Sequence, residues 1–164
     1  FQPIAGFSYG ARKFGRLYEA IKISVLWSTI FCVVFGLTTA IFSFQIISLF
    51  TEEDAEMVRI GTAALRANGL TFTLFGFHTV YSFLFLVMGK AKEGCFLGAC
   101  RQGICFVPVI WFLPKISGIN GVIYAQPIAD ILTAIVTLFM ALHLHRTLAV
   151  EQSRRAFINA DQQR

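Results

Sequence analysis

The sequence predicts an all-α fold, a polytopic bundle of membrane-spanning helices, and three observations support this prediction. Hydrophobic residues make up 56% of the 164 residues and charged residues only 14%, whereas an average soluble chain carries roughly 25% charged residues. Four apolar runs are each long enough to cross a bilayer, which takes about 20 residues. The polar links between these runs alternate between basic and poorly charged, as expected of loops on opposite sides of a membrane.

The same numbers exclude a soluble globule. The mean hydropathy is +0.68, and a domain of this size buries only about 70% of the surface that its unfolded chain exposes. The net charge of +5 does not indicate a nucleic-acid partner, because the basic residues stand in short clusters between apolar runs rather than along one face. We therefore expect the lipid bilayer to be the main partner of this surface.

The apolar runs divide the chain into segments. Because Phe1 stands inside an apolar stretch, we expect a piece of a longer protein, in which residues 1–8 end a preceding span and residues 9–20 form a link. The predicted spans cover residues 21–50, about 61–89, 94–113 and 119–145. Residues 146–164 form a polar tail that can extend the last helix.

The charges of the links predict how the chain is oriented. The basic segments are Tyr9–Arg16, Gly89–Glu93 and the tail after Arg146, whereas Thr51–Glu56 is acidic and Pro114–Gly121 carries one lysine. The positive-inside rule places the three basic segments in the cytoplasm and the other two outside. Two arginines beside the second span, Arg59 and Arg66, depart from this rule.

Small side chains recur at every fourth position of the first span, and they are Ser24, Ser28, Cys32, Gly36 and Ala40. Such a strip allows a second helix to approach closely, because helix association in lipid depends on packing rather than on water exclusion. Gly94 and Gly98 give the third span a similar notch. Pro108 predicts a kink in that span.

The cysteines are interpreted as packing residues. Cys95, Cys100 and Cys105 are five residues apart, so that each is rotated by about 140° from the last on a helix, and they do not converge on one metal. The sequence contains no CxxC, HExxH or GxSxG motif, which are signatures of redox, metalloprotease and hydrolase sites. We therefore expect no enzyme, no catalytic residue and no bound cofactor or metal.

The second and fourth spans each carry a polar stripe at helical spacing. The second places Asn68, Thr71, His78 and Ser82 on one face beside Tyr81, and the fourth places Gln126, Asp130, Thr133 and Thr137 on one face. In one interpretation the hydroxyls bond to carbonyls of their own helix and the amides join neighbouring helices. In the other, the stripes face a wet cavity. His78 has the same two alternatives, a hydrogen-bonded structural role or a proton relay.

Asp130 stands near the middle of the fourth span. A lone carboxylate at that depth costs at least about 2.5 to 3.5 kcal/mol, so it must be paired, neutralised or hydrated. Pro127 lacks an N–H and frees the carbonyl of Ile123 for a ligand. The sequence therefore predicts either a site for a proton or small cation at Asp130 or an ion pair with Arg101, and the two are compatible.

Five segments of the sequence together resemble the C-terminal half of a bacterial multidrug and toxic compound extrusion (MATE) transporter. They are FQPIAGFSYGARKFGRLYEAIKIS, IGTAALRANGL, MGKAKEG, CRQGICFVPVIWFLP and GINGVIYAQPIADILT. The resemblance implies twelve spanning helices in two lobes, of which this chain would hold the end of the eighth and the ninth to twelfth. It also implies a bacterial inner-membrane location, a cytoplasmic C-terminus, and partners in the missing N-terminal lobe and in small cationic drugs.

The resemblance implies export of cationic amphiphilic drugs in exchange for H⁺ or Na⁺. The acid that some bacterial members carry in the tenth helix is absent here, and Asp130 is the spanning acid of the matched PIAD segment. We therefore expect Asp130, Gln126 and Arg101 to take part in ion coupling. Residues expected along the substrate path are Asn68, Phe77, His78, Tyr81 and Phe85, since aromatic walls suit cationic cargo.

Two alternatives to drug export remain at this point. A lipid-linked oligosaccharide flippase has a related fold, but it needs a strongly cationic cavity, and Arg101 is the one candidate for that role within the spans. A membrane subunit with a purely structural role would show no substrate-dependent ion flux.

Overall fold

The computed structural model describes residues 1–50 and 54–162, with side chains up to residue 150 and that of Ser153. The prediction of an all-α fold is confirmed in this part of the chain. Its elements are α1 (Gln2–Gly10), α2 (Phe14–Ile41), α3 (Ser43–Ser48), α4 (Ala55–Thr71), α5 (Thr73–Val87), α6 (Ala91–Ala99), a π-helical turn (Cys100–Ile104), α7 (Phe106–Ser117) and α8 (Ile119–Gln162).

The described residues contain three helices that are long and apolar enough to cross a membrane, or up to four if a bent pair is one span. The three are Phe14–Ile41, Ala91–Ser117 and Ile119–Val150, and the pair consists of α4 and α5, which meet at 50°. The predicted first span of residues 21–50 therefore corresponds to α2 and α3, which adjoin at Phe42. The tail after residue 145 continues α8 without a break to Gln162.

The strip of small residues on α2 packs against α4 and α5, which confirms the predicted close approach. The backbone of Gly36 lies so near the carbonyl of Gly69 that a Cβ on Gly36 would collide with it. About two turns nearer the start of α2, a Cβ on Gly76 of α5 would stand 2.8 Å from the backbone of Ser28. The absence of side chains at these glycines therefore sets the distance between the helices.

The notch predicted at Gly94 also meets a neighbouring helix. A Cβ there would stand 2.6 Å from Leu86, and Ser82 of α5 donates a hydrogen bond of 3.1 Å to the Gly94 carbonyl. Where Pro108 predicted a kink in the third span, the structure has a π-helical turn just before the proline, in which the N–H of Cys105 bonds to Cys100 O at 2.9 Å. Pro108 itself lies in the first turn of α7, where a missing N–H is tolerated.

The turns after α5 and α7 use glycines with positive φ, Gly89 at 76° and Gly118 at 57°. That backbone conformation costs glycine little and other residues more. At the other turn, before α4, Asp54 caps the helix by accepting hydrogen bonds from the N–H groups of Glu56 and Met57. Thr51, Glu52 and Glu53 of the predicted acidic link lie outside the described residues.

The basic links lie at one end of the bundle. There, Tyr18 near the start of α2 stacks on His145 of α8 at 5.4 Å between ring centroids, and Tyr81 near the end of α5 also contacts His145. The buried core of the chain is concentrated at this end, with Leu17, Leu84, Leu97 and Leu144 at most 1% exposed. The α3–α4 and α7–α8 turns therefore lie at the opposite end.

Candidate functional site

Asp130 on α8 is paired with Arg101 of the π-helical turn. Arg101 Nε donates a hydrogen bond of 2.9 Å to Asp130 Oδ1, and the side chains are 20% and 7% exposed. Gln126, one turn earlier on α8, donates from Nε2 to the same oxygen at 2.9 Å. The structure therefore brings together the three residues that the sequence predicted for ion coupling.

The guanidinium of Arg101 also lies over the ring of Phe75, at 4.4 Å from its centroid. This is within the range of cation–π attraction. Phe75 was not among the predicted site residues, although its position three residues before His78 places it on the same face of α5. Phe75 and Asp130 thus hold the cationic head of Arg101 from two different helices.

The net free energy of a buried ion pair is a small difference between two large and opposite contributions. Desolvation of the two charges costs several kcal/mol per ion, and attraction offsets this only where geometry and additional hydrogen bonds are favourable. Gln126 supplies such a hydrogen bond to Asp130. A proton or cation that competes with Arg101 for the carboxylate would therefore shift the contact between α8 and the π-helical turn.

The two polar stripes meet each other at His78. Its Nδ1 lies 3.1 Å from Thr137 Oγ1, and the two residues are 6% and 0% exposed. Thr137 donates to the carbonyl of Thr133 in its own helix at 2.7 Å, and Thr71 bonds to Ala67 O and Asn68 O. The hydroxyls of Thr71 and Thr137 thus bond back to their own helices, whereas Ser82 bonds to α6 and Thr133 Oγ1 has no hydrogen-bond partner among the described residues. His78 joins α5 to α8.

The aromatic residues predicted for the substrate path lie in the packed core. Tyr81 is 6% exposed and Phe85 3%, and Phe77 packs against them with its ring 4.9 Å from that of Tyr81. Tyr81 forms a hydrogen bond of 2.7 Å with His145 Nε2. This contact was not predicted, because the two residues are 64 positions apart in the sequence.

Asn68 lies on α4 next to the close approach of Gly69 to α2. Its Oδ1 is buried and has no hydrogen-bond partner among the described residues. A cavity of about 440 Å³ opens nearby between α4 and α8, lined by Ala63, Arg66, Ala67, Leu70, Thr71, Tyr124 and Pro127. Of the two polar stripes, only Thr71 lines this cavity.

Known proteins match this chain over most of its length. Residues 1–112 match the MatE family model. The chain is 24% identical over 151 residues to the multidrug export protein MepA of Staphylococcus aureus (strain MSSA476), which covers 92% of this chain and 33% of MepA. The MepA protein of Staphylococcus haemolyticus (strain JCSC1435) is 22% identical over the same length. The chain therefore spans about a third of the length of the curated relatives it matches.

Solved structures share the fold. The Vibrio cholerae MATE transporter VcmN in its bent form superposes with a TM-score of 0.79 at 17% identity, over 91% of this chain and 34% of VcmN. A structure designated "protein A" is 32% identical and has a TM-score of 0.80, over 89% of this chain and 32% of that one. Because the family model covers well over half of its residues, the chain belongs to the MatE family of multidrug efflux transporters.

Proposed function

We propose that this chain forms part of the C-terminal lobe of a transporter that exports cationic amphiphilic drugs in exchange for H⁺ or Na⁺ by alternating access. Membership of a family of transporters, and the name multidrug export protein given to the MepA relatives, support the class of activity. The family argues against an enzyme and against the flippase alternative. Large apolar side chains such as Trp27, Phe31 and Phe139 are 66–69% exposed, which suits contact with lipid or with a second lobe.

The ion-coupling site in this proposal consists of Asp130, Arg101 and Gln126. The observation that carries it is the pairing of a 7% exposed carboxylate with Arg101 inside the bundle. A buried charge that is neutralised only by one partner is sensitive to a second cation. Uptake of H⁺ or Na⁺ at this site weakens the hold of Asp130 on Arg101, and loss of the ion restores the pair, so that ion occupancy sets the packing between the π-helical turn and α8.

The substrate path in this proposal runs along the α4–α5 face that carries Asn68, Phe77, His78, Tyr81 and Phe85. Aromatic rings attract a cationic drug through their negative faces. Because Tyr81 and Phe85 are packed in the core of the present structure, this face accepts substrate only in a conformation in which the core contacts have separated. Such separation is part of alternating access, in which one bundle moves against another.

The proposed location is the bacterial inner membrane, with the basic end of the bundle and the C-terminus in the cytoplasm. The clustering of the basic links at the end marked by Tyr18 and His145 supports this orientation. The missing N-terminal lobe is the proposed partner of the exposed apolar faces that lipid does not cover.

The proposal is tested by Asp130→Asn in the full-length protein at normal expression. We expect loss of drug resistance and of the dependence of dye efflux on the ion gradient, because the amide keeps the shape of the side chain but carries no negative charge. Dye efflux from cells is measured across a range of external pH and Na⁺ concentration. Asp54→Asn is the matched control, since Asp54 caps α4 at the surface and asparagine caps equally well.

Wild-type efflux with unchanged ion dependence in Asp130→Asn would exclude Asp130 from coupling. Equal losses in Asp130→Asn and Asp54→Asn would show that the effect comes from lowered amounts of protein rather than from the site.

A further inference from the structure

The hydrogen bonds around His78 fix which of its nitrogens carries the proton. Thr137 has one hydroxyl hydrogen, and its Oγ1 lies 2.7 Å from the carbonyl of Thr133, which can only accept. The hydrogen of Thr137 is therefore used, and Oγ1 must accept from His78 Nδ1 at 3.1 Å. Neutral His78 thus carries its proton on Nδ1, and the lone pair of Nε2 has no hydrogen-bond partner among the described residues.

A small cavity joins His78 to the ion pair. It is lined by Leu74, Phe75, His78, Arg101, Asp130 and Thr133, and its volume is about 10 Å³, close to the minimum of roughly 10–15 Å³ that holds one water molecule. A buried water also needs two to four polar partners.

Three of the residues that line this cavity have a polar atom with unused hydrogen-bonding capacity. Thr133 is 2% exposed, and its Oγ1 has no hydrogen-bond partner in the described part of the chain. Both hydrogen bonds to Asp130 end on Oδ1, which leaves Oδ2 without a donor from the described residues. His78 Nε2 is the third such atom.

Two charged groups act on His78, and they have opposite signs. Asp130 comes from α8 and Arg101 from the π-helical turn. Helix α2 packs on α5 and contributes the Cys32 thiol, which lies beside Gly76. The charged residues of α2 lie towards the basic end of the bundle, and they are Arg16, Glu19 and Lys22. Helix α1 carries no charged side chain. Helix α6 has Lys92 and Glu93 in its first turn, α4 has Glu56, Arg59 and Arg66 towards the opposite end, and Tyr81 lies one turn along α5.

We propose that His78 is the protonation site of the ion-coupling cluster, and that one water molecule in the cavity links its Nε2 to the carboxylate of Asp130, which acts as a fixed counter-charge. This inference rests on the proposed function and specifies its coupling ion as H⁺. It also assigns to Asp130 a role other than direct proton binding, because Oδ1 of its carboxylate already accepts hydrogen bonds from Arg101 and Gln126.

The proton transfer is balanced as follows. A proton that reaches the cavity as hydronium passes to the lone pair of Nε2, which leaves a neutral water and an imidazolium. The imidazolium donates from Nδ1 to Thr137 and from Nε2 to the water, and the water donates to Asp130. Release runs in reverse. The imidazolium of His78 and the guanidinium of Arg101 then both interact with the carboxylate of Asp130. Repulsion between these two cations weakens the contact of α8 with the π-helical turn.

Proton and drug also exclude each other in this arrangement. A cationic drug on the face of α5 that carries His78 is repelled by the imidazolium and accepted by neutral imidazole. Binding of the drug therefore expels the proton from Nε2, which is the exchange that an antiporter needs.

The test measures protons released for each drug molecule bound by the full-length protein, purified in unbuffered detergent with a pH-indicator dye and an ethidium-type cation as the drug. The variant is His78→Asn, whose amide can donate to Thr137 as Nδ1–H does but cannot take up a proton. We expect His78→Asn to lose the proton release. His143→Asn, an exposed histidine on α8, is the matched control and should release protons as the wild type does.

A second measurement does not depend on any variant at the site. Nitrogen-15 NMR of labelled histidine in the wild-type protein should show His78 as the Nδ1–H tautomer at alkaline pH and should show a gain of the Nε2 proton on acidification. The other histidines of the full-length protein are replaced one at a time, and the His78 signal is the one that none of these replacements removes. If His78→Asn fails to reach the membrane, the NMR measurement on the wild-type protein tests the inference by itself.

Full proton release by His78→Asn, or a neutral His78 with its proton on Nε2, overturns the inference. If Asp130→Asn loses ion-dependent efflux while His78→Asn still releases protons, the proposed function stands and only this inference fails. If Asp130→Asn keeps ion-dependent efflux, the proposed function fails first.

Discussion

At the scale of single residues, the chain concentrates its buried charge in one contact. Arg101 and Asp130 are 29 positions apart and meet at 2.9 Å, and each supplies the opposite charge that the other lacks away from water. The sequence predicted the pair as one of two alternatives, because a carboxylate within an apolar span requires a partner. The part played by Phe75 depended on how α5 is rotated, which the sequence does not show directly.

Removing one member of the pair leaves the other charge buried and unpaired. We expect Arg101→Met to lower the free energy of unfolding of the full-length protein by about 3 kcal/mol, as measured by SDS-induced unfolding in mixed micelles. Combining it with Asp130→Leu should restore most of the loss, since the remaining charge is then gone. Arg59→Met is the control, because Arg59 pairs with Glu56 at the exposed surface.

A loss in Arg101→Met no larger than that in Arg59→Met would contradict this account of the pair. So would a double variant that is less stable than the single one.

At the scale of the elements, small residues determine how closely the helices pack. The strip on α2 was predicted from its four-residue spacing alone, because that spacing keeps the side chains on one face. Its partner helices were not predicted, since a strip of small residues does not identify the surface that meets it. The structure shows that Gly69 and Gly76, on the two arms of a helix pair bent by 50°, are the counterparts.

A methyl group on Gly36 should therefore separate α2 from α4. We expect Gly36→Ala to destabilise the protein by about 1–3 kcal/mol, as for other overpacked interfaces, because the Gly69 carbonyl belongs to the backbone and cannot rotate away. Thermal unfolding in detergent measures the change. Gly15→Ala lies on the same helix with nothing within 4 Å of its added Cβ, and it should cause no loss.

Equal stability of Gly36→Ala and Gly15→Ala would show that the helices are farther apart than in the structure described here.

The π-helical turn is an element that the sequence analysis did not predict. Pro108 indicated an irregularity in the third span, but the extra residue in the turn falls earlier, at Cys100–Ile104. Such single turns are rare and often occur at functional sites, and this one carries Arg101. Helical periodicity alone cannot locate it, because each side of the turn has ordinary α-helical spacing.

At the scale of the whole molecule, all three basic segments lie at one end of the bundle, because successive spans run in opposite directions. We predict that this end faces the cytoplasm. In the full-length protein without its native cysteines, a membrane-impermeant maleimide should label Ser117→Cys on intact cells or spheroplasts. It should label Arg12→Cys and Lys92→Cys only after permeabilisation, and all three positions are exposed on the surface of the chain.

Labelling of Arg12→Cys and Lys92→Cys on intact cells, with protection of Ser117→Cys, would reverse the orientation. Mass-tag detection of labelled protein distinguishes the two results at each position.

The sequence by itself determined the all-α membrane class, the strip of small residues and the two polar stripes. These features depend on composition and on the 3.6-residue helical period, which are local properties of the chain. The tertiary structure decided which partners those stripes have. Asp130 meets Arg101, His78 meets Thr137 and Tyr81 meets His145 across 29, 59 and 64 positions, because the rotation and tilt of each helix are set by packing against its neighbours and not by its own residues.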